Sequence, residues 1–294
     1  MANNIALAKK YTPLIDEKYK KEAVTTILNS PASWIKQGAN THEILYRHVS
    51  VNGLGDYSRN SGYTNNSVTV EWKSAEFNYD RGTKITMDEM DNEETMGDSY
   101  LVAQNELQTS KVAPEGDAFT FATISATPNI SIAKEGGETY TDGEQFLAAL
   151  LKATSKMDED EVPAENRILF ATPTLINSVM ALDTTKSREV MNSFSQVVKV
   201  PQSRFYTKIK LLNGSTSGEE IGHYQKAEDG NDINFIIVHK DAILKFDKHI
   251  VRDAIPPEIN ADADAYIANY RKYGIVKVFE NKTSGVYLSF KANA

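Results

Sequence analysis

The sequence contains no cysteine among its 294 residues. This absence excludes a disulfide framework, a thiolate metal site and a cysteine nucleophile. No run of about 18 apolar residues occurs, so the sequence predicts no membrane-spanning helix and no membrane partner. The first residues also lack the basic stretch and apolar core of a signal peptide, which predicts synthesis in the cytosol.

Clustered positive charge is also missing. The chain has 32 lysines and arginines against 40 aspartates and glutamates, and its formal net charge is −8. A protein that neutralises nucleic-acid phosphates needs a basic stripe or patch. Since no such stripe occurs, the sequence does not predict tight direct binding of DNA or RNA.

Recognisable catalytic and cofactor motifs are absent as well. None of the five histidines has a second histidine four residues away, the spacing of a zinc-binding helix. Residues 214–218 place Thr216 where a nucleophile elbow has serine, which favours a surface turn. Gly53 and Gly55 lack the third glycine and the helix of a dinucleotide site. We therefore predict no catalytic residue, no cofactor and no metal site.

Two runs of acidic residues leave an enzyme as an open alternative. Residues 88–94 resemble the first turn of a helix, where acids are favoured, and their spacing does not fit a calcium-binding loop. Residues 158–161 have the composition of a solvated loop. A soluble acid–base enzyme would need a compact pocket with perturbed carboxylates at one of these runs.

An arm and a hairpin are predicted at the start of the chain. Residues 1–43 contain too little apolar surface to fold alone and must lie on another surface. Three runs of alternating apolar residues then predict strands: Leu45, Val49 and Val51 in the first, Val68, Val70 and Trp72 in the second, and Ile85 and Met87 in the third. The polar link 52–66 joins the first two into a projecting hairpin, which needs a neighbour because two strands alone are marginally stable in water.

A long helix is predicted to begin after Asp88 or Asp91, either of which can cap its N-terminus. Apolar residues at helical spacing share one of its faces: Met96, Tyr100, Ala103 and Leu107. The helix can extend to about Val112, and Pro114 interrupts or kinks it.

The remainder has the pattern of a mixed α/β domain followed by closing strands. Helices are predicted after Asp142 and after Thr172. The predicted strands are 167–171, 197–200, 209–212 and 233–238, then 275–279 and 286–290. No internal repeat occurs.

Six segments carry a resemblance to a known family. They are DRGTKITMDEMDNEE from Asp80, VAPEGDAF from Val112, VPAENRILFATP from Val162, VKVPQSRF from Val198, INFIIVHK from Ile233, and the region from Ala261 to Tyr273. In this order, and with the predicted elements, they resemble the major capsid proteins of tailed bacteriophages, which share the fold named after phage Hong Kong 97. The last two segments are similar to members from phages of low-GC Gram-positive bacteria.

The resemblance implies an α+β fold of the Hong Kong 97 type with four parts. These are an N-terminal arm (1–43), an extended hairpin loop (44–88), a peripheral domain with a long spine helix (89–126 and 241–294) and an axial α/β domain (127–240). The arm would lie across a neighbouring subunit, and the hairpin would reach over an adjacent one.

The resemblance also implies a function without enzymatic activity. The chain would self-assemble as pentamers and hexamers into the icosahedral shell that encloses phage double-stranded DNA, in a virion capsid assembled in the bacterial host cytoplasm. Its partners would be further copies of itself, with scaffolding, portal and decoration proteins. Some relatives cross-link through a lysine of the hairpin, but Lys73 and Lys84 match no such motif.

Function would then lie in the contacts between copies. The candidate interface residues are Val68, Val70 and Trp72 on the hairpin and Met96, Tyr100 and Leu107 on the helix. Two rivals remain besides the enzyme. One is an encapsulin-type shell of a bacterial nanocompartment, which encloses a cargo enzyme, and the other is a phage tail or baseplate protein, which forms tubes or rings.

Overall fold

The computed structural model describes residues 23–37, 43–60, 62–63, 67–94, 103 and 105–292. The strands are β1 (Ile35–Gln37), β2 (Glu43–Val51), β3 (Val68–Glu76), β4 (Tyr79–Asp88), β5 (Ser131–Ile132), β6 (Arg167–Ala171), β7 (Gln196–Lys199), β8 (Ile209–Leu211), β9 (Tyr224–Lys226), β10 (Ile233–His239), β11 (Ile243–Ile255), β12 (Ala265–Val278) and β13 (Val286–Phe290). The α-helices are α1 (Glu89–Glu94), α2 (Ala113–Ser125), α3 (Gly143–Glu159), α4 (Pro173–Leu182) and α5 (Thr185–Asn192).

A five-stranded sheet in the order β5-β13-β10-β6-β7 forms the centre. Its middle strands are antiparallel and its two outer pairs are parallel. Ile168 and Phe170 of β6 pack toward α2, whereas Leu169 and Ala171 pack toward α3, α4 and α5. Successive side chains of a strand point to opposite faces, so an uninterrupted apolar strand fills two cores at once. The predictions of strands at 167–171 and 233–238 are confirmed.

A long ribbon in the order β11-β12-β4 extends from this body. Its root is buried in the central core through Ile243 and Val278. β12 begins at Ala265, well before the predicted strand at 275–279, and β11 was not predicted at all. β4 pairs with β12 and forms the edge of this ribbon, although the resemblance placed its residues in the hairpin loop.

The predicted hairpin is present as β2 and β3, and β1 extends it to a three-stranded sheet. The two strands pair from Glu43 with Glu76 to Val51 with Val68. At its root, Ile44 packs against the start of β11 and the end of β12, so the hairpin is anchored to the ribbon by a small apolar cluster.

The predicted helix has two described parts. α1 begins after Asp88, whose Oδ1 accepts a hydrogen bond from the Met90 backbone N–H at 3.0 Å, so this cap is confirmed. Helical residues then run from 105 to the end of α2, through a π-helical turn at Gln108–Val112. Pro114 follows one residue after that turn. In a regular α-helix a proline ring would clash with the carbonyl four residues earlier, and the wider π turn gives the ring room, so the helix continues past the proline to Ser125.

Of the predicted arm, residues 23–37 and residue 43 are described. Val24–Leu28 forms a short 3₁₀ helix that buries Val24 and Leu28 in the central core beside α2. These residues therefore belong to the body of their own subunit. The α+β class is confirmed, and the four domain boundaries remain predictions.

Candidate assembly interface

The outer half of the hairpin carries one apolar face. Val49 pairs with Val70 and Val51 with Val68, so these four side chains lie on the same side of the two strands. Trp72 is on the same face, and the five side chains are between 42% and 61% exposed. Large contiguous apolar patches on a soluble protein mark sites of interaction. The three predicted hairpin residues thus lie together on one uncovered surface.

The opposite face of the hairpin is polar near the tip and buried near the root. Thr69 and Glu71 are exposed on it. Tyr46 and Ala75 lie farther down the same face and are buried against the ribbon, where the Tyr46 ring is 5.3 Å from that of Phe279. A face that is buried at the root and polar at the tip leaves the valine face as the one that a partner can cover.

Two side-chain contacts orient the hairpin. The Lys36 ammonium lies 4.3 Å from the centre of the Trp72 ring, which is a cation–π contact between β1 and β3. The Lys73 Nζ lies 2.9 Å from Glu280 Oε2, which ties the hairpin to the residues that follow β12. The first contact lies within the hairpin sheet, and the second holds the hairpin against its own subunit.

The link at the hairpin tip is less polar than the sequence suggested. The rings of Tyr57 and Tyr63 are tilted against each other with their centres 5.0 Å apart, beside a bridge between Ser58 and Gly62. Leu54 is fully exposed. The predicted polar link thus carries three large exposed apolar or aromatic side chains, Leu54, Tyr57 and Tyr63.

The helix residues of the predicted interface are described only in part. Met96 and Tyr100 lie outside the described residues. Leu107 is half-buried and borders a cleft of about 450 Å³ between the helix, β4 and the loop from β8 to β9. Ile221 stands at the rim of that cleft and is 87% exposed. None of the hairpin valines lines this cleft, so the structure separates Leu107 from the hairpin face.

An ionic junction closes the base of this cleft. Arg81 Nε donates to Glu115 Oε1 at 2.7 Å, the Tyr79 hydroxyl donates to the same oxygen at 3.1 Å, and His223 Nδ1 lies 3.6 Å from Glu115 Oε2. Burial alone would raise the pKa of Glu115, but its contacts with His223 and Arg81 hold that pKa below the ordinary value. A carboxylate with a lowered pKa takes up a proton less readily and is a poor general base. Glu115 therefore serves to hold Arg81 and Tyr79 in place.

The two acidic runs lie in different surroundings. Burial, together with the neighbouring charges of Glu93 and Asp264, raises the pKa of Glu89 at the start of α1. In the second run, Asp158 pairs with the buried Arg167 at 2.7 Å. Within the described ranges no group of three histidine or acidic side chains is placed to hold a metal ion. No helix among those residues is long and apolar enough to cross a membrane.

Residues 214–218, which have a glycine at each end, form the surface turn that was predicted. The Asn213 side chain accepts hydrogen bonds from the backbone N–H groups of Ser215 and Thr216 at 2.8 and 2.9 Å. An asparagine that bonds the backbone two residues on is typical of a turn. Thr216 therefore belongs to a surface loop and has no strand-to-helix elbow around it.

A buried polar cluster was missed by the sequence analysis. Asp117 is fully buried and accepts a hydrogen bond from Arg204 Nη1 at 2.9 Å. Lys245 is also buried, on the other side of residues 24–30. The only signal was a charged residue within the apolar pattern of α2. Charged groups are almost never fully buried without partners, and such partners lie far away in the sequence.

Comparison with known proteins shows the fold. No family model matches the chain, and no curated protein matches it. The capsid structure of the Cyanophage P-SCSP1u matches with a TM-score of 0.63 at 12% identity, covering 98% of this chain and 93% of that one. The bacteriophage PhiM1 mature capsid matches with a TM-score of 0.62 at 12% identity, covering 98% and 92%.

A virus-like particle from Pyrococcus furiosus matches less well, with a TM-score of 0.51 at 9% identity over 84% of this chain and 86% of that one. The chain therefore has the fold of phage capsid structures along nearly its whole length, as predicted. The predicted similarity to phages of low-GC Gram-positive bacteria is not confirmed and remains a prediction.

Proposed function

We propose that this chain is the major capsid protein of a tailed bacteriophage, and that copies of it build the icosahedral head. The observation that carries the proposal is the uncovered valine face of the hairpin on a chain with a capsid fold. The hairpin is anchored at its root and presents this face away from its own core. Such a surface is explained when an adjacent copy covers it.

The energy of this contact suits an assembly that forms cooperatively. Burying a valine side chain completely contributes about 1.5–3 kcal/mol, so each half-exposed valine of the hairpin would contribute roughly 1 kcal/mol. The association of two proteins costs about 4–15 kcal/mol in lost freedom of motion. One hairpin contact is therefore too weak to hold a pair of subunits, and several contacts per subunit are needed to stabilise a closed shell.

The finer features of the proposal follow from the resemblance. Copies would associate as pentamers and hexamers, with residues 127–240 around the symmetry axes, and scaffolding, portal and decoration proteins would be their partners. The shell would assemble in the host cytoplasm and enclose double-stranded DNA. A net charge of −8 is consistent with a wall that does not condense this DNA. The role is structural, so the chain would not be an enzyme.

Electron microscopy of the expressed protein tests this function. The chain would be produced alone and together with its neighbouring genes, and the soluble fraction would be imaged after sedimentation. Icosahedral shells are expected. A clean monomer under all conditions would contradict the proposal, and tubes or rings would favour the tail or baseplate alternative.

The shell of a bacterial nanocompartment is the second candidate. The match to a virus-like particle from Pyrococcus furiosus keeps this candidate open, although that match has a lower TM-score and coverage than those to the two phage capsids. Purified shells distinguish the two candidates by their content. Nuclease-protected double-stranded DNA would support the phage head, and an enclosed cargo enzyme would support the nanocompartment.

A further inference from the structure

Residues 24–30, called the strap here, cross the body of the subunit and cover a buried lysine. Val24 and Leu28 fix the strap in the apolar core, where they are 8% and 0% exposed. Ser30 fixes its other end, because its N–H donates to the Lys245 backbone carbonyl at 2.9 Å. The strap thus closes over the first turns of β11.

The polar contacts of the strap converge on two buried charged groups. The backbone N–H groups of Val24 and Thr25 donate to the Asp117 carboxylate at 3.1 and 3.0 Å. Lys245 Nζ donates to the Thr25 carbonyl at 2.9 Å and to Thr25 Oγ1 at 2.6 Å. Both of these acceptors belong to the strap, so lifting the strap removes them and opens the lysine amine to water.

We infer that seating of the strap is coupled to the loss of a proton from Lys245, so that alkaline conditions hold the strap in place and neutral conditions loosen it. A neutral amine still has two N–H donors, which is enough for both bonds to Thr25. The ammonium form carries a charge that the buried site must hold without water. The seated strap therefore favours the neutral amine.

The charged and titratable groups around Lys245 nearly balance each other. Asp117 on α2 is already paired with Arg204 at 2.9 Å. Lys272 on β12 lies 3.2 Å from Asp247 on β11, and both line a cavity beside Lys245 that is too small for more than one water molecule. The Tyr79 side chain of β4 lines the same cavity.

Burial, followed by the charge of Lys272, lowers the pKa of Lys245 from its ordinary value of 10.5 to about 8. The pKa of the amine is thus lower when the strap is seated than when it is lifted. The equilibrium constant for seating therefore rises with pH between about pH 8 and the ordinary lysine pKa of 10.5. Below about pH 8 it is nearly independent of pH. From pH 7 to pH 9 the seating equilibrium constant should increase about tenfold.

Hydrogen exchange of the full-length subunit tests the coupling. The backbone N–H groups of Val24 and Thr25 are the reporters, since they are bonded to Asp117 only when the strap is seated. Lys245→Met removes the titrating amine, and Lys248→Met alters an exposed lysine of the same strand as a matched control. Comparing the variants at the same pH cancels the intrinsic pH dependence of exchange.

The protection of the two amides should rise about tenfold from pH 7 to pH 9 in the unaltered chain and in Lys248→Met, and should stay flat in Lys245→Met. An equal rise in all three chains, or no rise in the unaltered chain, would overturn the inference. If Lys245→Met fails to fold, a titration of the unaltered chain with ¹³C-labelled lysine replaces it. One lysine titrating near pH 8 is then expected, and lysines that all titrate near 10.5 would overturn the inference.

Discussion

A charge at the centre of the hairpin face should block assembly and leave the subunit folded. Val70 is 50% exposed and lies opposite Val49, in the middle of the valine face. In Val70→Asp, the contact with a neighbour loses about 1 kcal/mol of apolar burial. Burial of a carboxylate without a partner costs at least about 2 kcal/mol more.

The sum of about 3 kcal/mol corresponds to a decrease of roughly a hundredfold in the association constant of each hairpin contact. The free energy of unfolding of the subunit should change by at most about 1 kcal/mol, because Val70 is not part of its own core and strand propensities span about that range. Assembly and stability are therefore affected to very different extents by the same substitution.

The assay measures the pelletable fraction at matched protein concentration, with electron microscopy of the pellet and a urea titration of the subunit. Thr69→Asp is the matched control, since it adds the same charge at the next position of the same strand but on the polar face. Val70→Asp should remain in the supernatant, and Thr69→Asp should pellet like the unaltered chain. Shells of Val70→Asp at the normal concentration, or equal loss in both variants, would refute the role of the valine face.

Three further predictions concern the rest of the subunit. Asp117→Asn leaves the buried Arg204 guanidinium without its counter-ion, so urea denaturation should show a loss of about 3–5 kcal/mol; a loss below 1 kcal/mol would contradict this. Glu115 has a lowered pKa, so its bond to Arg81 should stabilise the chain above about pH 4.5 and be lost at lower pH; in Glu115→Gln, this part of the pH dependence of the unfolding free energy should be absent. Leu107→Glu should lower the pelletable fraction while the thermal midpoint shifts by only a few degrees, and normal shells would remove Leu107 from the interface.

The elements that the sequence predicted well are those whose pattern is complete within a few residues. The strand Arg167–Ala171 is apolar from Ile168 onward because both of its faces are buried, and the hairpin strands alternate because only one of their faces is apolar. The cap at Asp88 and the helix start at Asp142 were also predicted, since a capping side chain acts on N–H groups two or three residues away.

The elements that were missed depend on residues far away in the sequence. The strand Ile243–Ile255 contains lysine, aspartate, histidine and arginine at positions that break any simple alternation, and its extended form is set by pairing with Ala265–Val278. The π turn before Pro114 relieves a steric clash within the helix and has no signature in the order of apolar residues. The burial of Lys245 follows from the strap, which no local pattern places there.

The strap also joins the first described residues of the chain to residues that are made much later. Thr25 and Lys245 are 220 positions apart in the chain, and Val24 and Asp117 are 93 apart. At a synthesis rate of roughly 5–20 residues per second, Lys245 is made about 10 to 40 s after Thr25. An unfinished chain exposes Val24 and Leu28 for that interval. The core around Val24 and Leu28 therefore needs residues made late in translation, among them Val286 and Leu288.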